Sequence, residues 1–116
     1  MDLRDWAGDA WAELDATKQA RLVRAAESID ERYPDPDDQP ERDAALSTAV
    51  QYMLGETTAA EVRERLNRAR VEAMEALAAA QQFAVMAIED GGAEATTARE
   101  VGVDRMTVRS WLGKTR

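Results

Sequence analysis

The 116-residue chain predicts an all-α protein: a helical bundle with a long central helix leading into a C-terminal pair of short helices. Three observations carry this prediction. Apolar residues recur at helical spacing through most of the chain, and no stretch alternates β-branched residues at a strand period. Only three prolines and six glycines interrupt it, so elements can be long. Alanine dominates the apolar residues, with one Phe and two Tyr beside it, and Ala-rich faces favour close helix packing over a bulky aromatic core. A chain of this length forms one domain, or one domain with a small appendage, and buries a real core. The expected division is an acidic N-terminal helical body over 1–80 and a C-terminal module over 81–116.

The first helical region runs from about Asp9 to Tyr33. Trp11, Leu14, Leu22, Ala25, Ile29 and Tyr33 mark one apolar stripe. Asp15 suits the N-cap of a second segment starting at Ala16, which leaves one helix or two open. Trp6 and Trp11 are expected to pack the N-terminus onto the body. The stretch YPDPDDQPERD, with three prolines and five acidic residues, reads as a loop. Pro34 disfavours helical geometry at Tyr33, and Pro40 suits the first turn of the next helix. That helix, Pro40 to Leu54, places Leu46, Val50, Met53 and Leu54 on one face, and Gly55 ends it.

Thr58 and Glu61 form a Thr-x-x-Glu capping box that opens the longest element. No Gly or Pro follows until Gly91. Val62, Leu66, Ala69, Ala73, Leu77, Ala80, Ala84 and Ala87 recur in steps of four and three, which is heptad-like spacing. A straight helix here spans roughly 45–50 Å at 1.5 Å per residue. From Phe83 to Ile88 the apolar positions spread around the cylinder, which predicts burial on several sides. Gln81 and Gln82 leave either one continuous helix or a break open. The Ala-rich seam has two readings, an inner face packed on Leu22, Ile29, Leu46 and Val50, or a dimer interface, and the two are compatible.

Beyond Gly91-Gly92, Glu94 to Val101 reads as a two-turn helix, Gly102 as a turn glycine, Asp104 as an N-cap, and Arg105 to Leu112 as the last helix. Val101, Val103, Val108, Trp111 and Leu112 supply an inward face, and Ala98 lies where two helices approach closely. The formal charge of the chain is −8, yet from Arg99 to Arg116 five basic residues stand against two acidic ones. An acidic body with a basic tail is the asymmetry of an interaction protein.

The segment VGVDRMTVRSWLGK, with Ala98, Gly102, Val108 and Trp111-Leu112 at their spacings, resembles the turn and recognition helix of the helix-turn-helix superfamily, in its three-helix, homeodomain-like bacterial branch. The resemblance covers about a fifth of the chain, or a third with the supporting end of the preceding helix. Two positions depart from the pattern. Thr97 stands where a larger apolar residue is usual, and Ala93 where Ser or Thr commonly caps. The resemblance implies a C-terminal helix-turn-helix that binds double-stranded DNA. A recognition helix enters the major groove with its N-terminal residues nearest the base edges. Here those are Arg105, Met106 and Thr107, followed by Arg109 and Ser110. Arg105 or Arg109 suits a bidentate contact to guanine, Met106 a thymine methyl, and Thr107 and Ser110 a base edge or phosphate. Lys114 and Arg116 suit phosphates, as do the amides that open the Glu94–Val101 helix. Two-fold related half-sites would double the few base contacts of one short helix, so a homodimer is expected. The alternative is an outward face that merely solvates the chain, in which case the acidic body binds a protein partner and the corner is scaffold.

Several classes drop out. With no cysteine and no histidine, disulfide frameworks, thiolate zinc sites and His-based acid–base chemistry are excluded. Asp35, Asp37 and Asp38 lack the frame of an EF-hand loop, and no Gly-rich phosphate loop is present. No catalytic residue, cofactor or metal is expected, and enzymatic function is not predicted. The N-terminus lacks the pattern of a secretory signal, and the apolar run Ala76 to Ile88 reads as too short and too polar for a membrane span. Thirteen arginines against two lysines point to a bacterial genome of high GC content. The expectation is a cytoplasmic transcription regulator, or an accessory factor of a mobile element.

Overall fold

The computed structural model describes residues 2–114. These are all-α: seven α-helices and one 3₁₀ turn, with no strand among the described residues. The chain divides into two compact units, Met1–Arg63 and Glu64–Arg116. The boundary falls inside the long helix, and the expected division after residue 80 lies further along that same helix.

In the first unit, α1 (Leu3–Ala7) and α2 (Asp9–Glu13) precede α3 (Ala16–Arg32). The stretch read as one helix or two is therefore broken. Asp15 accepts a hydrogen bond from the Lys18 N–H at 2.8 Å, which starts α3 where its side chain satisfies an orphan donor. The Gln19 side-chain amide donates to the carbonyls of Trp11 and Leu14, which closes the end of α2. The five-residue α1 has no predicted counterpart. Asp2 caps it by accepting from the Arg4 N–H, and it is too short to show a period.

A 3₁₀ turn (Pro36–Asp38) interrupts the acidic loop, and α4 (Gln39–Met53) follows with Pro40 in its first turn. Asp35 accepts from the Asp37 N–H, so one of the three loop aspartates serves the turn itself. Arg42, a half-buried side chain, donates to the carbonyls of Tyr33, Asp35 and Pro36 and ties the loop to α4. Helices α3 and α4 pack together. Leu14, Leu22, Ile29, Leu46 and Val50 form the buried core, and Trp6, Trp11, Tyr33, Met53 and Leu54 pack partly buried against it. The expected stripe, Ala25 apart, and both N-terminal tryptophans are thus used as core.

Helix α5 (Ala59–Glu89) is continuous through Gln81 and Gln82. Thr58 accepts from the Glu61 N–H at 3.2 Å, one half of the predicted box. Val62, Leu66, Ala69, Ala73 and Leu77 are exposed, against the covered face that their spacing predicts. The helix persists because its first half is rich in strong helix formers and holds a surface ion pair, Arg68 to Glu64 at 3.0 Å. By length and composition alone, one 18-residue stretch of α5, of mean hydropathy 1.2, is apolar enough to cross a bilayer. Glu72, Glu75, Gln81 and Gln82 lie in that part of the helix.

Towards its end α5 changes character. Ala84 is buried and Val85, Ala87 and Ile88 are half-buried, while Phe83 and Met86 remain exposed. Gly91, at φ +100°, turns the chain, and the Gly92 N–H donates to the Ala87 carbonyl at 2.9 Å. A Cβ on Gly92 would stand 2.9 Å from that carbonyl oxygen, so the close approach itself requires glycine. Helices α6 (Glu94–Val101) and α7 (Arg105–Trp111) follow and pack on one another.

Candidate nucleic-acid interface

The corner between α6 and α7 is built from three local devices. Gly102 adopts the left-handed conformation, φ +87° and ψ +27°, and a side chain there is strained even though open space surrounds it. The N–H groups of Gly102 and Val103 both donate to the Ala98 carbonyl at 2.9 Å, which closes the end of α6. Asp104 then accepts from the Thr107 N–H at 2.7 Å and starts α7. Hydrogen bonds to that carboxylate, foremost from the Thr107 N–H, hold Asp104 below the ordinary aspartate range.

Packing fixes which side of α7 faces outward. Val108 is fully buried, Ala98 and Thr97 are buried beside the close approach, and Val101, Val103, Trp111 and Leu112 are half-buried. Thr97 therefore fills a core position in spite of its hydroxyl. Ala93 gives α6 no side-chain cap, as its methyl group requires. The exposed residues of α7 are Arg105, Met106 and Ser110, of which Met106 and Ser110 lie opposite Val108. Thr107 is half-buried, with its N–H committed to Asp104. The predicted set thus divides: Arg105, Met106 and Ser110 are exposed, Thr107 is half-buried, and Arg116 lies outside the described residues.

No protein-family model matches this chain, and neither does any curated protein or solved structure.

Arg109 and Lys114 are turned towards a residue that the sequence reading left out. Glu94, the first residue of α6, is a carboxylate with 15% side-chain exposure. Arg109 Nη1 donates to its Oε1 at 2.8 Å and to its Oε2 at 3.3 Å. Lys114 Nζ donates to Oε2 at 3.2 Å, and Arg105 Nη2 stands 3.8 Å from Oε1. Burial by itself would raise the Glu94 carboxyl. The hydrogen bonds and charges of Lys114 and Arg109 outweigh burial and hold the carboxyl below the ordinary glutamate range. The basic surface therefore contains an internal anion. Counting charge from Arg99 onward misses it, because Glu94 lies 15 positions before Arg109 in sequence and joins it only across the corner. The amides that open α6, expected to meet phosphates, share their end of the helix with this carboxylate.

Among the described residues no group of His, Cys, Asp and Glu is arranged to hold a metal ion. What the arrangement offers is a short helix with Met106, Ser110 and Arg105 exposed, Arg105 at the long end of an ion pair with Glu94, and two further cations held closer to that carboxylate. That is chemistry for binding a polyanion through hydrogen bonds, with an adjacent patch able to touch a base.

Proposed function

We propose that the chain is a small bacterial, cytoplasmic, non-enzymatic protein that binds double-stranded DNA in a sequence-specific manner through a C-terminal helix-turn-helix. In this reading α7 is the recognition helix. Arg105 and Arg109 are the residues for guanine, Met106 the residue for a thymine methyl, and Thr107 and Ser110 hydrogen-bond to base edges or phosphates. Lys114 and Arg116 meet the backbone. The observation that supports this most is the left-handed turn at Gly102, which sets α7 on α6 with Val108 inward and Arg105, Met106 and Ser110 outward. A major groove about 12 Å wide admits a helix presented in this way.

The role follows as a transcription regulator or an accessory factor of a mobile element, acting as a homodimer. Two copies reading an inverted repeat would compensate for the seven residues of α7. The exposed seam of α5 supports dimerisation, since Val62, Leu66 and Leu77 leave apolar surface in water. Selection of bound sites from a random duplex pool tests the whole reading. An enriched inverted repeat is the expected result, and a pool without enrichment overturns it.

A second reading has its own support. Arg109 and Lys114 already hold a carboxylate partner within the fold, as structural cations do. In that case the corner is scaffold, and the acidic N-terminal body binds a basic protein partner. The same pool without enrichment, together with no DNA affinity at low salt, favours this alternative.

A further inference from the structure

We infer that Glu94 is a specificity-determining residue of the proposed DNA-reading surface: an internal counter-anion that a DNA phosphate must displace before Arg109 and Lys114 can engage it. The inference rests on the DNA-binding reading and adds a function for a residue which that reading does not use.

Three cations from α7 and the turn after it converge on one carboxylate of the preceding helix, at 2.8 Å from Arg109, 3.2 Å from Lys114 and 3.8 Å from Arg105. The geometry is graded. Arg109 is 27% exposed and meets both carboxylate oxygens, whereas Arg105 is 61% exposed at the longest distance. Arg105 is thus available to a first encounter, and Arg109 and Lys114 are held back. A carboxylate and a phosphate offer guanidinium and ammonium groups the same kind of charge-assisted hydrogen bond. On random DNA, moving Arg109 and Lys114 from Glu94 to phosphate exchanges like for like and gains little. On a cognate site, Arg109 gains a bidentate contact to guanine O6 and N7 that Glu94 cannot match with a second partner already bound. Glu94 therefore weakens sequence-independent binding more than cognate binding. Its carboxylate also adds one repulsive charge at the end of α6, where a backbone phosphate would otherwise meet free amides.

The test compares the full wild-type chain with Glu94→Gln and Glu94→Asp. Equilibrium binding is measured to a random-sequence duplex and to a duplex recovered by selection, between about 50 and 200 mM salt. Glu94→Gln is expected to bind the random duplex about tenfold more tightly, with a salt slope steeper by about one to two, while cognate affinity changes less. Glu94→Asp keeps the charge and is expected to stay near wild type. A folded Glu94→Gln chain with wild-type affinity for random DNA overturns the inference, while wild-type cognate binding leaves the DNA reading intact. A wild-type chain that binds neither duplex overturns both. If Glu94→Gln loses helicity, Glu94→Ala, which removes the same charge and favours the helix, decides. Binding of the random duplex about tenfold tighter than wild type is the expected result, and wild-type affinity in that folded variant overturns the inference.

Discussion

Gly102 sits at φ +87° with no heavy atom within 4 Å of where a Cβ would stand, so a substitution there is opposed by backbone conformation and not by crowding. Gly102→Ala is expected to destabilise the α6–α7 corner by about 1 kcal/mol, and Gly102→Asn by less, since Asn tolerates the left-handed region. Urea unfolding of the two variants beside wild type measures the difference. Glu94 and Asp104 make a second prediction at this scale. Both carboxyls are held below their ordinary ranges, so their folded-state values lie under those of the unfolded chain. Each contributes stability that is fully present above the unfolded value and is lost as pH falls through the folded one. The thermal midpoint of wild type is thus expected to exceed that of Glu94→Gln at neutral pH, and the gap to close on acidification through and below the ordinary carboxylate range. A gap that widens with acid contradicts the assignment. Of these residues, Gly102 and Asp104 were legible in the sequence because turns and caps are local. Glu94 was not, because its partners are set by the packing of α6 on α7.

Helix α5 shows the same divide between local and tertiary signals. Its cap at Thr58, its end at Gly91-Gly92 and its length followed from spacing, and the structure joins the stretch through Gln81-Gln82 without a break. What periodicity could not say was which part of the seam is covered. Ala84 is buried while Val62, Leu66 and Leu77 are exposed, although all four lie on one stripe. A repeat of apolar residues reports a face and is silent about its partner. The proposed partner is a second copy. Sedimentation of the isolated chain is expected to show a dimer, and Leu66→Lys with Leu77→Lys is expected to shift it to monomer with helicity retained. A monomeric wild type contradicts the dimer. α1 lay beyond the reach of periodicity, since five residues contain little more than one turn.

Over the whole molecule, charge and fold were the most legible features. The all-α class followed from periodicity and few breakers, and the core of Leu14, Leu22, Ile29, Leu46 and Val50 from the stripes that carry it. The charge separation survives folding in an altered form: the basic C-terminal face exists, with Glu94 set into it. An acidic chain of net −8 should repel DNA through its body, so any affinity must come from that face and must depend steeply on salt. The central claim is that this face binds duplex DNA. Equilibrium binding of wild type and of Arg105→Ala with Arg109→Ala to duplex DNA at about 50 mM salt tests it most directly. Wild type is expected to bind clearly, with affinity falling as salt rises, and the folded double variant to lose at least about tenfold. No binding by wild type at that salt, or equal binding by both proteins, would contradict it.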